Sequence, residues 1–234
     1  MTRRTDLHPD LTRTDVGAPL FSTWRVDGPE WQRAAVGAIA EAWERRPWPT
    51  SGLVAYHVYV GGDGSTLMHH SQWTAEQAYE AFAKTGRQER VDEIDTAVPG
   101  IERLGLGRYR HYRSRTRAEG DGRPPGLVVT VRIDFEEDAA ERRRGWVDAV
   151  LEALAEDGDG HRGLISAHFH LSTDGTHVLN YAEWESEQAY DAALAAPGAG
   201  IGTPSPHWER VRTYPGVRGS TVSRYEHALG LVPG

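Results

Sequence analysis

An asparagine, a tryptophan four residues on and a tyrosine six beyond it (Asn180, Trp184 and Tyr190) stand together in NYAEWESEQAY. The same pattern occurs upstream in HHSQWTAEQAY, where Trp73 and Tyr79 keep their places and His69 takes that of the asparagine. Side chains alternate along a strand, so Asn180, Ala182 and Trp184 share one face, and His69, Ser71 and Trp73 share the corresponding one. A polar group, a small residue and an indole in that order leave a hollow with a flat floor, over which Tyr190 or Tyr79 can lean from the next helix. A planar aromatic ligand would gain stacking and apolar burial there, with a few polar groups fixing its orientation. Asn180 is suited to donate a hydrogen bond, and His69, with an ordinary pKa of about 6.5, to act as a general base. Packing at a strand-to-helix corner is the competing role for Trp73 and Trp184. Asn180 is more telling, because a polar residue inside an apolar strand needs a partner or a cavity.

Other groups suggest less. His168 and His170 share a strand face, mirrored by His57 and Tyr59. They read as hydrogen-bonded walls of the pocket rather than a metal pair. No set of metal ligands has a recognisable spacing and no Gly-rich dinucleotide motif follows a strand, so neither metal nor cofactor is expected. The chain has no cysteine, which removes disulfides and thiolate chemistry. The acidic run Glu156–Asp159 lacks the later glutamate of a calcium loop and reads as a solvated helix end. Arg108, Arg110, Arg113, Arg115 and Arg117 alternate as a solvated face. A net charge of -8 argues against nucleic acid as partner. MTRRTDLHPDLTRTD has no apolar leader core, and nowhere do 18 apolar residues run together, so a soluble cytoplasmic protein away from membranes is expected.

The two patterns belong to a longer repeat. Shifting the chain by 111 positions carries His57 onto His168, Asp63-Gly64 onto Asp174-Gly175, Trp73 onto Trp184 and Tyr79 onto Tyr190. A shift of 116 carries Arg108-Tyr109-x-His111 onto Arg224-Tyr225-x-His227. Each copy opens with a β-rich run (Leu20–Val26, Leu127–Ile133) followed by a helix. In the first helix, Asp27 stands at the N-cap position, Pro29 in the first turn, and Trp31, Ala35, Ile39 and Trp43 as an apolar stripe. The second has its stripe at Trp146, Val147, Val150, Leu151 and Leu154, ended by a turn at Asp157–Gly160. Asp-Gly turns then join LVAYHVYV to TLMHHSQW and LISAHFHL to HVLNYAEW as hairpins. A second helix follows each Trp, capped at Thr74 in one copy and at Glu185 in the other. A loop and a last strand close each copy. The order is β-α-β-β-α-β, an α+β class of two ferredoxin-like repeats. The expected organisation is an arm over 1–15, repeats over 16–115 and 126–230, and a linker over 116–125. One such sheet leaves a face open, so the repeats are expected to pair as a covalent pseudo-dimeric α+β barrel, with further homodimerisation left open.

This duplicated pattern, with a strand ending in Trp and a helix Tyr soon after, resembles the antibiotic biosynthesis monooxygenase family of dimeric α+β barrels. The resemblance covers both repeats. It implies a cofactor-free oxygenase turning a polycyclic, anthrone-like phenol into a quinone or hydroxylated product, as in aromatic polyketide biosynthesis. It also implies a catalytic pocket of Asn180, Trp184 and Tyr190, with His69 as an altered counterpart and Trp73 and Tyr79 binding substrate beside His57 and His168. An arginine of the following loop region belongs to that pattern, with Arg210 the first candidate and Arg212 the second. Haem-degrading relatives keep a histidine about ten residues beyond the Trp, where this chain has Phe-Ala-Lys and Ala-Leu-Ala.

Oxygen activation without a metal or flavin needs a substrate that is itself the reductant. Ionising a phenol of pKa about 10 near neutral pH asks for roughly three units, or about 4 kcal/mol. One or two charge-assisted hydrogen bonds of roughly 1.5–3 kcal/mol each meet that need in a desolvated pocket. A polyketide cyclase and a non-catalytic small-molecule binder on the same fold are the alternatives.

Overall fold

The computed structural model of the chain describes residues 1–136, 140–157, 162–196, 201 and 205–234. Two compact units emerge, Met1–Tyr109 with Tyr225–Gly234, and Arg110–Arg224. Both boundaries fall inside strands, β5 (Glu102–Arg115) and β9 (Val217–Pro233), and neither falls in the 116–125 segment.

The first unit contains β2 (Ala18–Arg25), α1 (Pro29–Glu44), β3 (Leu53–Gly61), β4 (Thr66–Trp73), α2 (Glu76–Thr85), α3 (Arg87–Ala97) and the start of β5. Its sheet runs β3-β4-β2-β5, the ferredoxin-like order, with antiparallel neighbours. The tail of β9 pairs antiparallel with β3, and β1 (Thr2–Thr5) pairs with that tail, so the expected arm carries a strand. The second unit repeats the order with β6 (Leu127–Phe135), α4 (Ala140–Glu156), β7 (Leu164–Ser172), β8 (His177–Trp184), α5 (Glu187–Ala195), α6 (Pro206–Arg212) and the start of β9. Its strands run β5-β7-β8-β6, with β6 also paired to β9.

The hairpins form where the Asp-Gly pairs stand. Asp63 accepts hydrogen bonds from the amides of Ser65 and Thr66, and Gly64 takes φ +70°. Asp174 caps Thr176 in the same way, and Gly175 takes φ +82°. Helix starts depart from expectation by one residue each. Gly28 rather than Asp27 caps α1, Ala75 rather than Thr74 caps α2, and Ser186 rather than Glu185 caps α5, where its hydroxyl accepts from the Ala189 amide. Trp31 leaves the expected stripe and is 41% exposed. A spacing of four overshoots a full turn by about 40° at each step, so Trp31 has rotated away from the face that buries Ile39 and Trp43. In both units the sequence after the first long helix yields two helices, because α3 and α6 follow α2 and α5. Beyond Asp157 the expected turn at Asp157–Gly160, with the end of the acidic run at Asp159, lies outside the described residues.

Each sheet buries one face beneath its own helices. In the first unit Leu20, Val58, Leu67 and Trp73 meet Ile39, Trp43 and Phe82. In the second Val129, Phe169, Val178 and Trp184 meet Trp146, Val150 and Leu154. The chain bends sharply after each Trp, held by a glycine. Gly17 donates its amide to the Trp73 carbonyl and Gly126 to that of Trp184. A Cβ at either glycine would lie 2.4 Å from the next residue's carbonyl oxygen. Among the described residues no helix is long and apolar enough to cross a membrane.

Candidate active site

Strand register decides which predicted residues meet. His69 lies opposite Ser22 on β2 and Val58 on β3, while His57 lies opposite His70. His69, Ser71 and Trp73 therefore face the helices, and His57 faces the other way. In the second unit Asn180 lies opposite Val131 and Phe169, while His168 lies opposite Tyr181. His57 and His168 are thus corrected: the sheet separates them from the Trp and Tyr residues they were expected to join. His57 is buried, with its Nδ1 3.0 Å from His227 Nε2, and burial followed by the neighbouring His227 and His8 pushes it down to about 3. His168 sits between Ser114 and Ser166, and Ser166 donates to Glu183 at 2.7 Å. Arg210 is corrected as well. It stands exposed on α6 in an ion pair with Glu152 at 2.6 Å, while Arg212 pairs with Glu209.

The strand-to-helix corner is common to both units. Trp73 and Tyr79 meet edge-on at 5.5 Å, and Trp184 and Tyr190 at 5.1 Å. Around the corner the two differ. The Trp73 indole donates to Ser71 Oγ at 2.9 Å. Trp184 has Ala182 at the matching position, and its indole nitrogen is buried without a partner among the described residues. Asn180 Oδ1 is likewise buried and unpartnered. Tyr190 is buried, which raises its phenol pKa, and the Arg224 guanidinium lies 4.9 Å from its ring.

In the first unit a cavity of about 300 Å³ opens between sheet and helices. Trp73, Tyr79, Phe82 and Trp43 supply its aromatic surface, with Leu20, Ser22, Trp24, Tyr56, His69 and Ser71 along the strands. Arg87, Arg90, Val91 and Ile94 enter from α3, and Arg103, Gly105 and Leu106 from β5. His69 rests on Trp24, with ring centroids 4.0 Å apart, and its Nδ1 lies 2.7 Å from the Tyr56 hydroxyl. Its Nε2 is buried with no partner among the described residues. Burial, then the nearby Arg103 cation, holds the imidazole neutral with a pKa of about 3. An imidazole held that far below its ordinary range is a poor acceptor for a phenol's proton, which weighs against the base role expected of His69. A neutral imidazole can still donate.

The three arginines are placed differently. Arg103 pairs with Asp95 at 2.6 Å and lies over the Trp24 ring. Arg90 is buried over Trp43 and donates to the carbonyls of Gly86 and Pro47. Arg87, one turn before it, lines the cavity without a hydrogen bond or ion pair among the described residues. Sequence inspection passed over all three, together with Tyr56 and Trp24. The signal for Tyr56 was present: with the Asp63-Gly64 turn fixing the hairpin, period two puts Tyr56 on the face of His69. The arginines of α3 carry a weaker signal, because RQERVDEIDTA is almost wholly charged and has little amphipathic pattern. Among the described residues no group of three His, Asp or Glu side chains could hold a metal ion.

Residues 127–200 match the family model of the antibiotic biosynthesis monooxygenases. The matched segment lies within the second repeat. The chain is 38% identical over 76 residues to the tetracenomycin-F1 monooxygenase of Streptomyces glaucescens, a match covering 32% of this chain and 62% of that protein. In fold it is similar to an anthrone oxidase-like protein, with a TM-score of 0.68, 16% identity, and 93% of each chain covered. It is also similar to a mutant chlorite dismutase from Candidatus Nitrospira defluvii, with a TM-score of 0.52, 12% identity, and 92% and 93% of the two chains covered. At these identities the likeness of the chain to the solved structures is one of fold.

Proposed function

We propose that the chain is a monooxygenase that oxidises an electron-rich polycyclic phenol, such as the enol form of an anthrone, in the first unit's cavity, with O2 as co-substrate and no resident cofactor. The single observation that carries this is the cavity itself: an indole floor, a neutral imidazole whose Nε2 lacks a partner, and an unpaired guanidinium at Arg87. An aromatic plane lies against the aromatic lining, where Tyr79 is partly exposed, and its oxygen approaches His69. The phenol gives up its proton to solvent as it binds, and Arg87 stabilises the negative charge left on its oxygen. The bound anion gives an electron to O2, and recombination forms a C–O bond at the ring carbon. Loss of that carbon's remaining hydrogen and cleavage of the O–O bond leave a carbonyl and one water. For an anthrone, CH2 plus O2 becomes C=O plus H2O, so the substrate supplies every electron. Stacking walls that exclude water serve the intermediates. The names of two of the similar proteins, a tetracenomycin-F1 monooxygenase and an anthrone oxidase-like protein, fit this chemistry.

The duplication supports reading the chain as a covalent pseudo-dimer, with the chemistry assigned to the repeat that carries His69. The test is oxygen uptake by purified, metal-stripped protein supplied with anthrone, with 18O2 to follow the label. Acceleration over buffer, with one labelled atom in the quinone, is expected. No acceleration across a panel of such phenols would remove the proposal, and turnover under strict anaerobiosis would replace it with a non-oxidative cyclisation.

A further inference from the structure

We propose that Tyr56 is a positioning residue, which by donating its hydroxyl proton to His69 Nδ1 fixes the imidazole as the Nε2–H tautomer and leaves that N–H as the donor His69 carries in the cavity wall. The ligand oxygen it meets rests on the function proposed above; the tautomer does not.

Tyr56 Oη and His69 Nδ1 are 2.7 Å apart, and the two rings lie nearly parallel, 12° between planes. Tyr56 is 8% exposed and its hydroxyl has no second partner among the described residues. If Nδ1 carried the imidazole proton and donated to Tyr56, the tyrosine O–H would be buried with no acceptor. Nε2 would then be a buried lone pair with no donor among the described residues. Two buried polar groups would be unsatisfied, each a substantial penalty. If Tyr56 donates instead, only the Nε2–H remains unsatisfied, on a residue that lines the cavity. A bound oxygen satisfies it. Burial raises the Tyr56 phenol, so the proton stays on the tyrosine oxygen and the bond keeps its direction.

The register gives this a meaning. Val58 pairs with His69 and Phe169 with Asn180, so Tyr56 corresponds to Ala167 of the second unit. The amide of Asn180 carries N–H groups without help from a neighbour, whereas an imidazole has two tautomers and needs one selected. Tyrosine appears in the repeat that has histidine, and alanine in the repeat that has asparagine.

The experiment uses the whole chain with 15N-labelled histidine. In the wild type, the His69 resonances, assigned by their loss in His69→Asn, are expected to show the one-bond N–H coupling at Nε2 and none at Nδ1. In Tyr56→Phe, which keeps the buried ring, the coupling is expected to divide between the two nitrogens. A wild-type proton on Nδ1, or a Tyr56→Phe spectrum unchanged from wild type, overturns the proposal. The ligand arm uses 2-naphthol, whose neutral and anionic forms differ in absorbance. Its bound titration is expected to lie below that of free naphthol and to move back up by about tenfold in acid constant in Tyr56→Phe. In a His69→Asn background the same tyrosine change is expected to have no further effect, which a purely structural role of Tyr56 would not produce. If the nitrogen spectra behave as stated and naphthol fails to bind, the tautomer stands and the phenol chemistry falls.

Discussion

The two units share a corner and differ in what surrounds it. In both, a buried Trp ends a strand, a glycine amide binds its carbonyl, and a Tyr from the next helix meets its edge. The layer above that corner is Ser22, Tyr56, His69 and Ser71 in one unit and Val131, Ala167, Asn180 and Ala182 in the other. The shared set holds a strand-to-helix bend, which every copy of the fold needs whether or not it binds anything. The differing set is a hydroxyl-rich, hydrogen-bonded wall against a largely apolar one. Duplication thus preserved the architecture and left the chemistry free to diverge. The Asn-Trp-Tyr spacing points to the second repeat, whereas the cavity described above lies in the first, beside the altered residue.

The comparison is broken or sharpened most strongly at the tryptophans. Trp73→Ala and Trp184→Ala are each expected to cost about 3–5 kcal/mol in urea unfolding, because both indoles are fully buried. Loss of 2-naphthol binding is expected from the Trp73 change alone; equal loss from both would place a working pocket in each repeat.

Next comes the cation. Arg87→Ala removes the unpaired guanidinium and is expected to weaken binding of anionic naphthol by roughly tenfold or more, as charged hydrogen bonds are worth about 1.5–3 kcal/mol. Neutral naphthalene should bind as before, and calorimetry with the two probes separates charge from packing.

Acid distinguishes the repeats through His69. Its folded pKa of about 3 lies below the unfolded value of about 6.5, so the unfolded chain binds the extra proton. Stability from this group is complete above pH 6.5 and falls as pH drops towards 3, by about 1.4 kcal/mol per pH unit. His69→Asn is expected to flatten the pH dependence of the urea midpoint by about one proton between pH 6 and 4. The buried His57 and His170, also held near 3, keep the remaining slope.

The smallest effect is expected at Arg210. Its exposed pair with Glu152 is worth about 0–1 kcal/mol, and Arg210→Ala should leave both stability and naphthol affinity nearly unchanged. A large loss of affinity would return this arginine to the site.

Much of the fold was legible in the sequence where its causes are local. The repeat, the alternation of the strands and the Asp-Gly hairpins rest on neighbours within a few residues. Helix caps were legible only to within one residue, because Gly28, Ala75 and Ser186 become caps through how the strand before them ends. Helix α3 was missed because its charged sequence shows no stripe, although Arg90 and Ile94 bury themselves under Trp43 and Trp73.

By itself the sequence determined that the chain is two copies of a β-α-β-β-α-β unit with an aromatic corner in each, since periodicity and turn chemistry are properties of short segments. Only the tertiary structure decided which side chains meet. Register put His57 and His168 on the face away from the tryptophans, packing brought Tyr56 to His69 and three arginines to one cavity, and burial turned an expected base into a neutral donor. Those outcomes depend on residues tens of positions apart and on the water excluded between them, which no local pattern encodes.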